Sequence, residues 1–470
     1  MELLKSSDKK GLDPEDYDGP RWAALEWNLC PSTSSEPNLI RFDVGLTVSI
    51  MRYVSDLHRG RVNPRSVHFE IDVDTHKFDL SEFLTLKVLN ATDVEAVLAQ
   101  VEPPFPTYRR TLHALQDYLE TTKADQGTPL PLPLEPINPG DDYAGVRQLA
   151  HLLTLLGDLP RSDATEIPAE LYQEPLVQAV KRFQQRHGLE PNGQINAETL
   201  KALNTPLASR VRQLQLTLER WRWLPHNLEL PAIIVNIPEF RLRVVDERYR
   251  WVLSMKIVVG KAYHHETPVF ASELRSVTIR PSWNVPLGIQ RNELLPQIEK
   301  NPSYLSANSY VITDGGGRLV AADPAENDVR EKLRSGELHL RQEPGPNNAL
   351  DLIRFDLPDP FDVYLHGTPA TELFAKTRRD FSHGCIRVED PFALAAWIFR
   401  NKPKWTPEHI RMVMSGKKTI RVGLEKSIPV LIVYGTAVVI EDGEVYFLDD
   451  IYGQDAALEE ALAKRNSSKR

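Results

Sequence analysis

The chain of 470 residues is too long for one ordinary core, and its 41% hydrophobic and 26% charged residues are globular values that exclude wholesale disorder. Sixty-five acidic against 56 basic residues leave a formal charge of −9, which argues against a broad phosphate-binding surface, so nucleic acid is not an expected partner. Two cysteines far apart, Cys30 and Cys385, exclude a disulfide framework, and no stretch approaches a membrane-spanning helix.

The first ten residues show no basic segment followed by an apolar run, so they do not read as a signal peptide. Either the protein is cytosolic or this start lacks its leader. From about 40 to 125, apolar residues recur at helical spacing, as in Leu46, Ile50, Tyr53, Val54, Leu57 and again in Leu112, Leu115, Leu119, and predict a helical region 1–127. Alternating proline and leucine over 128–140 predict an extended strap. A three-helix unit is expected over 141–207, with Gly157 closing the first helix and the third starting near Asn196.

From about 230 the texture changes. Ala232–Val235, Leu242–Val245, Met255–Val259 and Ser276–Ile279 predict strands, joined by further ones at Val363–Leu365, Pro429–Tyr434 and Ala437–Ile440. A polar, helical stretch over 287–350 interrupts this β-rich domain, 208–440, and an insertion that long is usually functional. Residues 386–400 read as a helix with Phe392, Ala395, Ala396 and Phe399 on one face, and 441–470 form a C-terminal segment expected to pack back on the helical region.

The chemistry gathers around Cys385. A thiol attacks as thiolate and needs a base or a positive environment. His383 lies two residues away and His366 ends a predicted strand, while Gly384 lets the backbone turn so that free N–H groups can stabilise an oxyanion. A helix starting after Cys385 would also favour thiolate. Local chemistry alone leaves a nucleophile, an inert buried thiol and a zinc ligand all open; for Cys30 the inert reading is preferred.

The run His366-Gly367-Thr368 followed by Ser382-His383-Gly384-Cys385-Ile386-Arg387-Val388 resembles the signature of the YkuD-type L,D-transpeptidases. Further segments, among them Thr267-Pro268-Val269-Phe270, Pro281-Ser282-Trp283-Asn284-Val285-Pro286 and Asp450-Ile451-Tyr452, resemble the large, scaffold-bearing subclass found in diderm bacteria. The helical unit at 141–207 resembles a peptidoglycan-binding domain, and the N-terminal region resembles that subclass's scaffold. Asp351 stands where the family more usually has glycine, at the expected hinge of the insertion.

The resemblance implies a multidomain protein: a helical scaffold, a three-helix peptidoglycan-binding-like domain, and a mainly β catalytic domain of β-sandwich type with an α-rich capping insertion. It implies Cys385 as nucleophile, His366 as base held by the carbonyl of Gly367, and His383 beside the thiol. Ser382, Gly384 and Arg387 shape the oxyanion loop, and Tyr364, Trp283, Asn284 and Thr368 are candidate substrate contacts. No metal or cofactor is expected. The implied reaction takes a donor tetrapeptide stem and an acceptor diamino acid side chain, joins them 3→3 and releases D-alanine, in the periplasm or envelope of a diderm bacterium, with other cell-wall synthases as candidate partners. Reaction of the thiol with carbapenems follows from the same resemblance. Carboxypeptidase or endopeptidase action, protein anchoring and a noncatalytic wall-binding scaffold are the competing readings.

Overall fold

A computed structural model describes the chain except for residues 21, 23–35, 73–77, 126, 165–166, 168–169, 302 and 469–470. Cys30 lies outside the described residues. Two compact units emerge: one comprises 1–228, 236–239 and 433–470, the other 229–235 and 240–432.

In the first unit, α1 (Glu36–Arg59) and α2 (Pro106–Ala124) carry the helical stripes seen in the sequence. Tyr53, Val54 and Leu57 are buried with Tyr17, Leu98 and Val101. The strap over 128–140 is irregular, with Leu130 buried and Leu132 and Leu134 exposed. It leads to α3 (Val146–Leu155), α4 (Leu176–Arg186) and α5 (Ala197–Leu203), whose shared core contains Val146, Leu149, Leu153, Val180, Phe183 and Leu200. Gly157 follows α3 at φ +83°, and the Asn196 side chain accepts the Thr199 N–H at 2.9 Å as the N-cap of α5.

Next comes α6 (Leu207–Arg222), which packs along α2 and so belongs with the helical unit, although the sequence places it at the start of the catalytic domain. It buries two charges completely. Glu219 accepts from the Val62 N–H at 3.0 Å and from Arg61 Nε at 3.2 Å, and its carboxylate lies 3.6 Å from Arg222, whose guanidinium also reaches the Tyr108 hydroxyl at 3.2 Å.

The second unit is built on β1 (Ala232–Asn236), β2 (Arg241–Val245), β3 (Trp251–Gly260), β4 (Val269–Ile279), and, later in the chain, β8 (Ile353–Asp356), β9 (Leu365–His366), β11 (Ile386–Val388) and β12 (Ile420–Val433). Strand order is β4-β12-β1-β2-β3-β11-β9-β8, and β8 pairs back onto β4 through Val277↔Phe355 and Ile279↔Ile353. The expected mainly β domain is present, and the return of β8 onto β4 joins its strands into one ring of pairings. The long β4 makes this possible by pairing with β12 along one edge and β8 along the other, which leaves no open edge there. A short strand, β10 (Asp380–Ser382), lies off the ring against β3.

The insertion at 287–350 is not α-rich throughout. Between the helices α7 (Leu295–Lys300) and α8 (Asn327–Ser335) runs β6 (Tyr310–Asp314), and α8 is followed by β7 (Leu338–Gln342). With β5 (Trp283–Asn284) they form an antiparallel sheet in the order β5-β7-β6. Leu338, Leu340 and Gln342 alternate inward with period two, a strand pattern that His339 and Arg341 mask when only apolar runs are sought. Val285, Leu295, Ile298, Ile312, Leu333 and Leu340 give the insertion its own core. Asp351, at its exit, adopts φ +54°, the left-handed conformation that glycine would enter without strain.

The helix expected over 386–400 begins later. Residues 386–388 form β11, and α9 (Pro391–Ile398) starts behind Asp390, which accepts the Ala393 N–H at 2.8 Å. Proline at the first helical position and an aspartate cap define that start. Cys385 therefore precedes a strand and gains nothing from a helix dipole.

After α10 (Pro407–Ser415) and β12 the chain returns to the helical unit. There β13 (Ala437–Val439) pairs with β14 (Val445–Phe447), and α11 (Gln454–Ser468) is tied to α1 by Arg465 and Asp56 at 2.7 Å. Among the described residues, no helix is long and apolar enough to cross a membrane.

Candidate functional site

Parallel pairing of β9 with β11 assembles the site. The register sets Leu365 opposite Ile386 and His366 opposite Arg387, and the Ile386 N–H donates to the Tyr364 carbonyl at 3.1 Å. Because strand side chains alternate and paired residues point the same way, Tyr364, His366, Cys385 and Arg387 share one face. Sequence separation of about twenty residues is thereby converted into adjacency.

The motif loop is tightly held. Gly384 sits at φ +114°, which a side-chain-bearing residue rarely adopts. Its carbonyl accepts from the buried Thr267 hydroxyl at 2.8 Å, and Thr267 Oγ1 in turn accepts the Gly260 N–H at 2.9 Å. The Ser382 hydroxyl donates to the Cys385 carbonyl at 2.5 Å and accepts the Gly384 N–H at 3.2 Å. The amides of Gly384 and Ile386 are thus committed to protein partners. The Cys385 N–H is the remaining backbone candidate, and beside it Arg387 Nε has no hydrogen-bond partner among the described residues.

The electrostatics also differ from expectation. Burial pushes the half-buried Cys385 thiol up from its ordinary value, outweighing hydrogen bonds from Tyr364 that favour thiolate. Burial, with help from the Arg387 charge, depresses His366 to about 3. At neutral pH the resting pair is thiol and imidazole, not an ion pair. His366 Nδ1 donates to the Gly367 carbonyl at 2.5 Å, which leaves Nε2 as the acceptor, while Sγ lies 3.7 Å from the Asp362 carbonyl.

A buried neutral histidine carries a stability consequence. The folded value near 3 lies below the unfolded value of about 6.5, so the unfolded chain binds more protons between them and stability rises with pH through that window. The contribution is complete above pH ~6.5 and is lost as pH falls toward 3. Lowering pH from 7 to 4.5 is expected to cost about 2–3 kcal/mol through His366. Urea melts at both pH values check it: His366→Asn should show a correspondingly smaller loss, and an equal loss in both proteins would rule it out.

The other candidates are distributed unevenly. Tyr364 is partly buried, its phenol pushed up by burial and by the neighbouring Cys385. Trp283 also packs against the insertion's core. Asn284 is exposed on β5, opposite Arg341. Thr368 is buried and accepts the Ala370 N–H at 3.3 Å, a brace for its own loop. Gly367 has no room for a side chain, because the Asp351 carboxylate fills the space a Cβ would need.

His383 has partners in the insertion and in the β3–β4 connection that the sequence did not suggest. Its Nε2 lies 2.5 Å from Glu293 of the insertion, and its ring meets that of His265 edge-on at 4.6 Å. Sequence reasoning assigned no role to Thr267, Asp351 or Glu293. Thr267 lies within a segment that carried the resemblance, and Asp351 was marked only as a departure; for Glu293, ninety residues from its partner, there was no local signal. No group of three or more His, Cys, Asp or Glu capable of holding a metal occurs among the described residues.

Comparison with known proteins fits this arrangement. Residues 231–440 match the family of the L,D-transpeptidase catalytic domain (YkuD), residues 142–203 the family described as "Putative peptidoglycan binding domain", and residues 1–115 the "Scaffold domain". A curated Haemophilus influenzae protein named "Putative L,D-transpeptidase" is 34% identical over 246 residues, which are 52% of this chain and 48% of that protein. The match thus spans about half the length of the curated relative.

Proposed function

We propose that this chain, which carries a YkuD L,D-transpeptidase catalytic domain together with peptidoglycan-binding and scaffold domains, is a peptidoglycan L,D-transpeptidase that forms 3→3 cross-links through a thioester on Cys385. The observation that carries the reading is the shared face of Tyr364, His366, Cys385 and Arg387 created by the β9–β11 pairing.

In the first step Sγ attacks the carbonyl between the third and fourth residues of a donor stem. His366 Nε2 takes the thiol proton as the S–C bond forms, and returns it to the amine of D-alanine as the C–N bond breaks. The Cys385 N–H and Arg387 face the developing oxyanion. In the second step the side-chain amine of an acceptor's diamino acid attacks the thioester; the N–C bond forms, the C–S bond breaks and the sulfur recovers a proton. The amide's energy is kept in the thioester, so no nucleotide is consumed, which suits the cell envelope as the place of action. The 142–203 domain would hold the wall polymer, and other wall synthases are candidate partners.

Purified protein incubated with tetrapeptide stems is expected to release D-alanine and yield 3→3 dimers, with an adduct on Cys385 of the donor's mass less D-alanine. Trimmed tripeptide monomers without dimers would assign the chain to hydrolysis instead. Binding to sacculi with no adduct under any condition would leave only the scaffold reading.

A further inference from the structure

Glu293 is the insertion's one carboxylate paired with the motif loop in the described contacts, and its position is built rather than incidental. It belongs to a π-helical turn, Gln290–Leu294, of the kind that recurs at functional sites. Gln290 pins that turn: fully buried, its amide donates to the Leu333 and Leu338 carbonyls at 2.6 and 3.0 Å and accepts the Leu340 N–H at 2.7 Å. Leu294 is buried in the insertion's core. With both ends of the turn held inward, Glu293 projects toward the motif loop, half exposed, with its carboxylate on His383 Nε2.

The groups facing this carboxylate are His383, with His265 stacked edge-on beyond it, and the Arg387 guanidinium, whose charge interacts with Glu293. Glu293 and His383 come from the insertion and the motif loop, whereas His366 and Arg387 come from β9 and β11 and Tyr364 immediately precedes β9. The loop that carries the thiol is therefore contacted by two separate sets of groups. One set suits activation of sulfur and binding of the oxyanion; the other offers a carboxylate and an imidazole with no role in forming the thioester.

We infer that Glu293 is the residue that recognises the acceptor: it binds the primary ammonium of the incoming side chain and delivers it to the thioester. This rests on the transpeptidase reading above. A primary ammonium brings a full charge and three donors, and outcompetes a single imidazole N–H for the carboxylate. The ammonium must lose a proton before it attacks. That proton passes to the Glu293–His383 pair and from its exposed edge to water. As the N–C bond forms and the C–S bond breaks, the second N–H proton returns to sulfur through His366. Water, having no charge, binds this carboxylate more weakly than an ammonium does, so the residue biases the acyl-enzyme toward transfer over hydrolysis.

The test separates the two half-reactions in the full chain. Acylation by a donor tetrapeptide is followed by intact mass, and partition of the acyl-enzyme between dimer and tripeptide is followed against acceptor concentration. Glu293→Gln is expected to acylate within about twofold of wild type while its acceptor KM rises about ten- to a hundredfold, the range of one charge-assisted hydrogen bond. Its product should shift toward tripeptide, and Glu293→Asp should restore most of the transfer. An unchanged acceptor KM, or faster acylation with unchanged partition, would overturn the inference and reduce Glu293 to a latch. Failure of wild type to acylate at all would instead overturn the transpeptidase reading, and this inference with it.

Discussion

Cys385→Ser is expected to remove the covalent donor adduct altogether, and His366→Ala to slow its formation by about a thousandfold, within the range of general-base catalysis. The size of the histidine effect follows from the resting state. With the thiol raised and the imidazole depressed to about 3, little thiolate exists before substrate arrives, so the proton must be removed during attack. A site with a preformed thiolate would lose less. The pH dependence of alkylation by iodoacetamide separates the two cases: the inflection should lie above the ordinary thiol value of about 8.5. An inflection below pH 7 would show a preformed ion pair and sink this account. Because His366 stays neutral down to about pH 3, its own protonation should not impose an acid limb near 6.5 on the acylation rate.

Glu219→Ala is expected to destabilise the helical unit by about 3–5 kcal/mol, the cost of leaving a buried cation without its partner. Glu219 and Arg222 are both fully buried, and the same carboxylate serves Arg61 and the Val62 N–H. Removing it strands a guanidinium and an amide together, and neither can reach water without opening the packing of α6 on α2. Glu331→Ala, which deletes an exposed partner of Arg334, should stay within about 0.5 kcal/mol. Urea unfolding, monitored in the helical unit for Glu219→Ala and in the second unit for Glu331→Ala, each against the unsubstituted protein, gives the comparison. A Glu219→Ala loss as small as that of Glu331→Ala would show that the buried network contributes little.

Much of the architecture was legible because it rests on local periodicity. The stripes of α1 and α2, the Asn196 cap, the left-handed Gly157 and four apolar strands each declare themselves within a dozen residues. What failed shares another cause. β6 and β7 mix polar and apolar positions because the insertion's sheet is covered on one face only, and β11 was absorbed into the following helix because three β-branched or charged residues are too few to announce a strand. Ring closure depends on which strand finds which edge, a long-range choice that no window of sequence contains.

The same division runs through the site. The motif around Cys385 and His366 was readable in the chain through its resemblance to a family signature, since the residue identities alone left a nucleophile, an inert thiol and a zinc ligand open. Protonation was decided by tertiary structure. The residues that suggested an activated thiolate are held where desolvation keeps both groups neutral, and burial is a property of the packed ring and not of the motif. The sequence by itself thus named the candidate groups. Only the fold decided how they are charged at rest, which amides around the thiol are already committed, and that a glutamate ninety residues away closes on His383.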